Sequence, residues 1–328
     1  MTRLIGVDFT SAPTRRKPIT VAVGQVVSPQ GEDHADSGTR VAPAWHAASR
    51  ASPDVAHASD PHQAFEPNDA CVLRLHALLS FHTLPDWQDW LINSGHWVGA
   101  FDFPFGLPRA FVRDGLGWPI KPVAPWPEIT RRLAALSRPE LITHCKAWCD
   151  ARPPGAKFAH RDTDLPAGSS PSMKWVNPPV VLMLHAGAPA LLHAGVTLPG
   201  LHEAGTDRTR IALEGYPGLL ARGVLGRTSY KSDLPARRHD PERRAARERL
   251  VQALESGAHP FDLPVDFAHG RDSCIADPGA DRLDAVLCLA QAGWAWQRRA
   301  ANWGLPAAFD PLEGWILGAT PPTEASSA

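Results

Sequence analysis

The stretch "LIGVDFTSAPTRRKPITVAVGQV", residues 4–26, decides the fold. Two runs rich in β-branched residues, 4–7 and 19–27, flank a polar segment, and this pattern predicts a hairpin of two buried strands. The first run ends directly in Asp8. The loop that follows presents hydroxyl and basic side chains, namely Thr10, Ser11, Arg15, Arg16 and Lys17. A carboxylate at the end of a core strand, opposite such a loop, indicates a functional site at this end of the hairpin.

The composition is that of a large, charge-balanced globular protein. Of 328 residues, 44% are hydrophobic, and 33 Lys and Arg face 34 Asp and Glu. Such a chain can bury a large core, and we expect one domain over residues 1–318 with a flexible tail over 319–328. The balanced charge lacks the global field of a protein that coats nucleic acid, although a local basic patch would suffice for binding.

Cysteine use and hydropathy predict a soluble, cytoplasmic protein. The five cysteines are odd in number and scattered, which argues for reduced thiols rather than a disulfide framework. The sequence starts with a strand pattern instead of an apolar signal region. No apolar run approaches the roughly 20 residues that span a bilayer, so we expect no membrane association.

Beyond the hairpin, the sequence predicts a mixed α/β domain with helices packed on a central sheet. The polar segment 29–68 has the composition of a long insertion or loose hairpin. The Pro-, Trp- and Arg-rich segment 109–171 is expected to be an irregular excursion with one short helix near 128–136. The remaining elements are a strand or short helix at 71–81, a helix at 86–95, a buried strand at 96–108, a helix within 175–196, a strand at 208–217, and helices at 240–257 and 281–299.

Three of the predicted strands end in an acid that precedes a turn, namely Asp8, Asp102 and Glu214. In open α/β sheets, sites form beyond the carboxyl ends of the strands, so these acids are expected to converge. The last helix adds Asp281 and Asp284, which lie three residues apart and share one face. Carboxylates that cluster in a low dielectric repel one another unless a cation lies between them. Hard oxygen ligands suit Mg²⁺ or Mn²⁺, and two such ions can promote phosphodiester hydrolysis.

Each acid also has a purely structural explanation. Asp8 could cap its own turn through Thr10 or Ser11. Asp102 could stabilise the turn that follows it. Asp281 lies in the first turn of its helix, where the helix dipole favours an acid in any case. An ion pair would explain Glu214, and the candidate partners are Arg208, Arg210 and Arg222.

The stretches that carry these acids are "LIGVDFTSAP", "VGAFDFPFGLP", "IALEGYPGLLAR" and "DRLDAVLCLAQAGWAW". They resemble the domain-of-unknown-function family 429, which is described as predicted nucleases of the RNase H fold. The resemblance runs from residue 4 to about residue 299 and excludes the 29–68 insertion. It implies an RNase H-like mixed central sheet flanked by helices, and a metal-dependent nuclease that acts on nucleic acid.

The resemblance also implies roles for individual acids. In RNase H-like enzymes, acids on the first strand, the fourth strand and the last helix bind two metal ions, and the matching positions here are Asp8, Asp102 and Asp284. The "D-x-x-D-A" form of the last motif is similar to Holliday-junction resolvases, in which both aspartates serve, so Asp281 joins the metal ligands. Glu214 matches the family's "E-x-Y-P" motif and is a candidate catalytic residue. Asp8 would bridge two Mg²⁺ or Mn²⁺ ions, with Asp102 and Asp284 holding one each and Asp281 or Glu214 completing the arrangement.

Basic and hydroxyl residues near the acid motifs are candidates for phosphate contacts. The predicted substrate-binding residues are Ser11, Arg15, Arg16, Lys174 and Lys231. Lys17, Arg109 and Arg227 lie in similar positions, and Trp175 is a candidate platform for a base. For each basic residue the alternative is a solvated surface charge.

Two other functions stay open. Many members of the family have Gly or Cys-Gly after the first aspartate, whereas this chain has "DFTSAP". The same fold hosts sugar kinases and actin-like ATPases, so Thr10 and Ser11 could instead serve the phosphates of ATP in a phosphotransferase. The third alternative is a non-catalytic binding module whose carboxylates stabilise the fold and bind no metal.

Overall fold

A mixed sheet forms the centre of the protein. The computed structural model describes residues 2–28, 71–205, 208–232 and 240–321. The predicted insertion at 29–68 and the end of the predicted tail, from residue 322, lie outside the described residues. Within them the strands are β1 (Leu4–Asp8), β2 (Ile19–Val27), β3 (Val72–Phe81), β4 (Trp97–Phe101), β5 (Arg210–Glu214) and β6 (Val265–Asp266).

The strand order in the sheet is β5-β4-β1-β2-β3-β6. The predicted hairpin is confirmed, with β1 antiparallel to β2 and Val7 opposite Val21. The ambiguous segment 71–81 is a strand, β3, which pairs antiparallel with β2. β4 runs parallel to β1, and β5 runs parallel to β4. The carboxyl ends of β1, β4 and β5 therefore lie at one edge of the sheet.

Helices cover both faces of the sheet. Successive residues of a strand point to opposite faces. Leu4 packs in a core cluster with α6, α7, α8 and α9, whereas Ile5 and Val7 pack with α1 and α5 on the other face. Both faces are buried, which explains why β1 is a continuous apolar run rather than an alternating one. The helices are α1 (Leu84–Asn93), α2 (Pro125–Ala135), α3 (Arg138–Asp150), α4 (Asp164–Ala167), α5 (Val180–His193), α6 (Pro217–Leu225), α7 (Pro241–Ser256), α8 (Arg271–Ala276) and α9 (Asp281–Gln297).

Side-chain caps set where several helices begin. The carboxylate of Asp240 accepts a hydrogen bond from the amide of Glu242 at 3.0 Å, which confirms the predicted start of α7. Gly257 ends the same helix in the left-handed conformation that glycine adopts without strain. α1 begins two residues earlier than expected, because the hydroxyl of Thr83 accepts from the amide of Asp86 at 3.2 Å.

The segment 109–171 is not irregular, which corrects the expectation from its composition. It contains a π-helical turn (Phe111–Gly115) as well as α2, α3 and α4. Ser137 and Glu140 form a capping box at the start of α3, in which the amide of Ser137 donates to the Glu140 carboxylate at 2.7 Å. Buried side chains such as Leu133 and Leu141 pack these helices against the start of α5. Elsewhere, β6, α6, α8 and a 3-10 helix at Arg299–Gly304 were also not predicted.

α9 crosses β1 at close range because Gly6 has no side chain. A Cβ atom at Gly6 would lie 2.1 Å from the carbonyl oxygen of Ala285 and 2.1 Å from the amide nitrogen of Leu289. Any larger residue would push the helix away from the strand. Gly6 therefore fixes the distance between the start of α9 and the end of β1.

The five cysteines are free thiols buried in the protein. Across the described ranges, no helix is both long and apolar enough to cross a membrane. Ala319, which the sequence assigns to the tail, is only 7% exposed, and its carbonyl accepts a hydrogen bond from the indole of Trp315 at 3.0 Å. The packed part of the chain therefore extends past residue 318.

Candidate active site

The acids that follow the parallel strands lie side by side. Val7 is opposite Phe101, and Phe101 is opposite Glu214, so the three strands end in register. The amide of Asp102 donates to the carbonyl of Val7 at 2.9 Å. The predicted convergence of Asp8, Asp102 and Glu214 at one edge of the sheet is thus confirmed.

The first turns of α9 bring two more acids to the same place. Asp281 opens the helix, and Asp284 follows one turn later with none of its surface exposed. Burial raises the pKa of Asp8 well above its ordinary value, and the negative charges of Asp284, Asp281 and Asp102 raise it further. Such electrostatic effects require short separations in a low dielectric. We call Asp8, Asp102, Asp281 and Asp284 the acid cluster.

Three members of the acid cluster, Asp8, Asp102 and Asp281, have raised pKa values and so resist ionisation. Burial raises the pKa of Asp102 to about 7, with Lys231 opposing this and Asp284 adding to it. Burial also raises the pKa of Asp281 to about 6. Lys17 lowers the pKa of both groups. A carboxyl group with a pKa of about 7, such as that of Asp102, is half protonated at neutral pH, and a bound cation can take the place of that proton.

Lys231, a predicted substrate contact, forms an ion pair inside this region. Its ammonium donates to Oδ2 of Asp284, while the hydroxyl of Tyr230 donates to Oδ1 at 2.7 Å. The side chain of Lys231 is 45% exposed and that of Asp284 is 1% exposed, so the lysine reaches inward from the solvent. In contrast, none of the described residues donates a hydrogen bond to the carboxylate of Asp8 or Asp102. Direct hydrogen bonds therefore satisfy Asp284, whereas Lys231 acts on Asp8 and Asp102 only through space.

Glu214 has its hydrogen-bonding capacity taken up by a buried ion pair. Its Oε1 accepts from Arg161 at 2.7 Å, and its Oε2 accepts from Arg161 at 2.8 Å and from the amide of Phe105 at 2.9 Å. Arg161 is 2% exposed and also binds Asp164 at 2.9 Å. Burial raises the pKa of Glu214, and Arg161 opposes this. The partners expected from the sequence were wrong, namely Arg208, Arg210 and Arg222.

A cleft of about 1000 Å³ lies over the acid cluster. Asp8, Asp102 and Asp281 line it, as do Tyr230 and Lys231, which cover Asp284. The cleft thus gives a ligand access to the carboxylates of Asp8, Asp102 and Asp281.

The predicted substrate contacts divide between the cleft and the surface. Ser11 lines the cleft, and its hydroxyl accepts from Arg138 at 2.9 Å. Arg15 and Arg16 are exposed in the β1–β2 loop and do not line the cleft. Lys174 also lies away from the lining, where its ammonium donates to the carbonyl of Asn177 at 2.8 Å. Lys231 lines the cleft, as do four cations that were not predicted as substrate contacts, namely Lys17, Arg161, Arg222 and Arg227.

Sequence reasoning missed Arg161 and Tyr230. Arg161 precedes Asp164 by three residues, and this spacing is a local signal for an ion pair, but its second partner Glu214 lies 53 residues away. Tyr230 stands next to Lys231 in "TSYKSD", a stretch without a distinctive local pattern.

The chemistry of the acid cluster fits a hard divalent cation better than a soft one. Its donors are carboxylate oxygens, which Mg²⁺ and Mn²⁺ prefer. Among the residues that the structure describes, no group of three or more His, Cys, Asp or Glu side chains is arranged to hold a metal ion. Binding would therefore require carboxylates to turn towards the ion.

Comparison with known proteins gives no relative. No protein-family model matches the chain, and neither does any curated protein or solved structure. Membership of family 429 accordingly stays a prediction that rests on the four motifs.

Proposed function

We propose that the protein is a nuclease of the RNase H-like class that hydrolyses phosphodiester bonds with the help of Mg²⁺ or Mn²⁺. The observation that carries the proposal is the acid cluster, which brings carboxylates from β1, from the residue after β4, and from α9 to one cleft. These are the three places at which the family resemblance implies metal-binding acids. The parallel direction of β1 and β4 supports the RNase H-like interpretation, because it puts both strand ends at one edge.

The charges around the cleft support a cation requirement. The four carboxylates of the acid cluster face two ammonium groups, those of Lys17 and Lys231. With all six groups charged, negative charge exceeds positive charge, and Asp277 adds to the excess beside Asp281. Low dielectric makes such a surplus costly, so either protons or a metal ion must compensate it.

The distribution of hydrogen bonds indicates where the ion would bind. Tyr230 and Lys231 already satisfy Asp284. Asp8 and Asp102 receive no hydrogen bonds on their carboxylates from the described residues. A first ion would therefore bind between Asp8 and Asp102, and a second would come with the negative charge of the substrate phosphate.

Each group in the cleft has a task in this proposal. A bound divalent ion supplies an activated water and polarises the phosphoryl group. Asp8 and Asp102, whose backbones are fixed at the ends of β1 and β4, would turn their carboxylates to hold that ion. Arg227, exposed in the lining, attracts the substrate phosphate. The buried pair of Arg161 and Glu214 keeps the wall beside Asp102 in place.

One observation favours a second candidate, the non-catalytic binding module. Lys231 already supplies a cation to the acid cluster, so the fold has an internal counter-ion for Asp284. If protons compensate Asp8 and Asp102, the site needs no metal. This candidate predicts that millimolar Mn²⁺ does not bind.

Calorimetric titration of Mn²⁺ separates these functions. We expect the wild-type protein to bind Mn²⁺ and to release protons, because the ion displaces protons from carboxyl groups whose pKa burial has raised. Titration in two buffers of different ionisation enthalpy measures that release. Asp8→Asn should abolish binding, whereas Asp272→Asn, at a side chain that is 98% exposed, should leave it unchanged.

Incubation with labelled DNA and RNA then tests the reaction. Cleavage by the wild type and none by Asp8→Asn would support the nuclease. Metal binding without cleavage would point instead to the phosphotransferase, which ATP hydrolysis would reveal. No Mn²⁺ binding would refute both enzymatic functions and leave the binding module.

A further inference from the structure

We infer that the cleft takes an unpaired nucleotide, presented by a single strand or by a dinucleotide, and excludes a base-paired duplex. The inference rests on the proposed nuclease function, because it assigns a substrate class to the same site. Three observations carry it, namely the depth of the carboxylates, an aromatic ring held in the lining, and the placement of the cations.

Two of the four carboxylates, those of Asp8 and Asp284, lie too deep for a phosphate on a rigid duplex. Asp8 is 9% exposed and Asp284 is fully buried, so a phosphate reaches them only by entering the cleft. The cleft volume of about 1000 Å³ lies near the top of the range for small-ligand sites, which is roughly 300–1,000 Å³. This volume suits a nucleotide or two. A duplex would have to bring its second strand into the same space.

Tyr216 provides a surface for a base. The other aromatic residues of the lining are at most 7% exposed, whereas Tyr216 is half-buried. Its amide donates to the side chain of Gln291 at 2.9 Å, and the guanidinium of Arg222 lies 5.3 Å from its ring centroid. Arg222 is itself held by the carbonyl of Ala167. A ring fixed in this way is a platform on which a base can stack.

An apolar rim completes the surface for the base. Pro178 and Pro179 are exposed at the start of α5, and Met183 follows on the first turn of that helix, all three in the lining. The cations Lys17 and Arg227 line the same cleft and suit a phosphate. The cleft therefore offers both apolar and cationic surfaces, as an amphipathic nucleotide requires.

Only an unpaired base can use the ring of Tyr216. In a duplex both faces of each base are covered by its stacked neighbours, so an aromatic side chain cannot stack on it unless the base leaves the helix. Single strands expose these faces and bind to grooves that combine aromatic rings with cations. The composition of the cleft matches the single strand.

Fluorescence anisotropy with the full-length Asp8→Asn protein tests the substrate class without cleavage. The probes are a labelled single strand, the duplex of the same sequence, and a labelled dinucleotide. We expect the single strand to bind at least about tenfold more tightly than the duplex. If the dinucleotide binds as tightly as the single strand, the ligand of the cleft is a small phosphodiester. If the dinucleotide binds much more weakly, the ligand is a longer single strand.

Variants at the ring connect that preference to the cleft. Introduced into the same Asp8→Asn protein, Tyr216→Ala should weaken binding of the single strand by about tenfold, and Tyr216→Phe should retain most of it. Arg244→Ala is the control, because Arg244 is 57% exposed on α7, outside the lining. Equal affinity for duplex and single strand, no binding of either, or an unchanged Tyr216→Ala variant would overturn the inference.

The result also distinguishes the inference from the function on which it rests. If the wild type with Mn²⁺ cleaves duplex as fast as single strand, the nuclease stands and the inference fails. If the single strand binds selectively but no nucleic acid is cleaved, the substrate class stands and the nuclease fails.

Discussion

Replacing Asp102 with Asn should stabilise the protein above neutral pH and leave its stability nearly unchanged in acid, when a chelator removes divalent ions. Burial raises the pKa of Asp102 to about 7, against 3.8 for an ordinary aspartate. Because the folded state holds this proton more tightly than the unfolded chain does, the protonated acid costs little below pH 3.8. The free energy of unfolding then falls as the pH rises towards 7.

The magnitude follows from the two pKa values. Each pKa unit corresponds to about 1.4 kcal/mol, so the ionised Asp102 costs the folded state at most about 4 kcal/mol above pH 7. Asn cannot ionise and keeps the shape of the side chain. It also loses the attraction to Lys231 and must bury an amide, so we expect a net gain of about 2 kcal/mol near pH 8.

Urea denaturation with chelator at pH 5 and pH 8 measures the effect. Asp272→Asn is the matched control, because that side chain is 98% exposed. Its substitution should change the free energy of unfolding by less than about 0.5 kcal/mol at either pH. Adding Mn²⁺ at pH 8 should make the wild type more stable than Asp102→Asn, because only the wild type keeps all the carboxylates that would bind the ion. A gain in stability that is equal at both pH values, or a loss at pH 8, would refute the argument that ionising Asp102 destabilises the fold.

Two further changes probe the framework around the site. Gly6→Ala would place a methyl group 2.1 Å from backbone atoms of α9, so the free energy of unfolding should fall by about 3 kcal/mol or more, whereas Gly205→Ala, with nothing within 4 Å, should change it by less than about 1 kcal/mol. Equal losses would contradict the close approach. Arg161→Met leaves Glu214 buried without its partner and should lower the free energy of unfolding by about 3–5 kcal/mol. Arg113→Met is the control, because the side chain of Arg113 is 66% exposed and the loss of its ion pair should cost less than about 1 kcal/mol. Urea denaturation measures both pairs, and a small loss for Arg161→Met would show that the buried ion pair does not hold the wall.

The sheet and the convergence of the acids could be predicted because local signals determine them. β-branched runs with turn residues between them predict strands. An acid directly at the end of such a run is positioned by the end of that strand in the sheet. Asp8 and Asp102 meet because β1 and β4 are parallel neighbours, so their carboxyl ends lie at the same edge of the sheet. The capping residues of α7 were equally local and were interpreted correctly.

The errors have two physical sources. In 109–171, a high proline content suggested irregular backbone, but Pro125 and Pro139 stand in the first turns of α2 and α3, where proline favours a helix. The partners in the buried ion pairs were not predicted for another reason. Arg161 and Lys231 each lie 53 residues from the acid that they bind, and only tertiary packing brings such partners together.

The position of Lys231 bears on how many ions the proposed nuclease binds before substrate. A single ion between Asp8 and Asp102 leaves the bonds of Asp284 to Tyr230 and Lys231 intact. Two resident ions would place a divalent charge beside the ammonium of Lys231 on Asp284, and the repulsion between the two positive charges favours displacement of the ammonium. The displaced side chain is already 45% exposed, so it could move into the cleft and meet the substrate phosphate. The number of ions in the Mn²⁺ titration therefore tells whether Lys231 stays a counter-ion of Asp284 or becomes the phosphate contact that the sequence predicts.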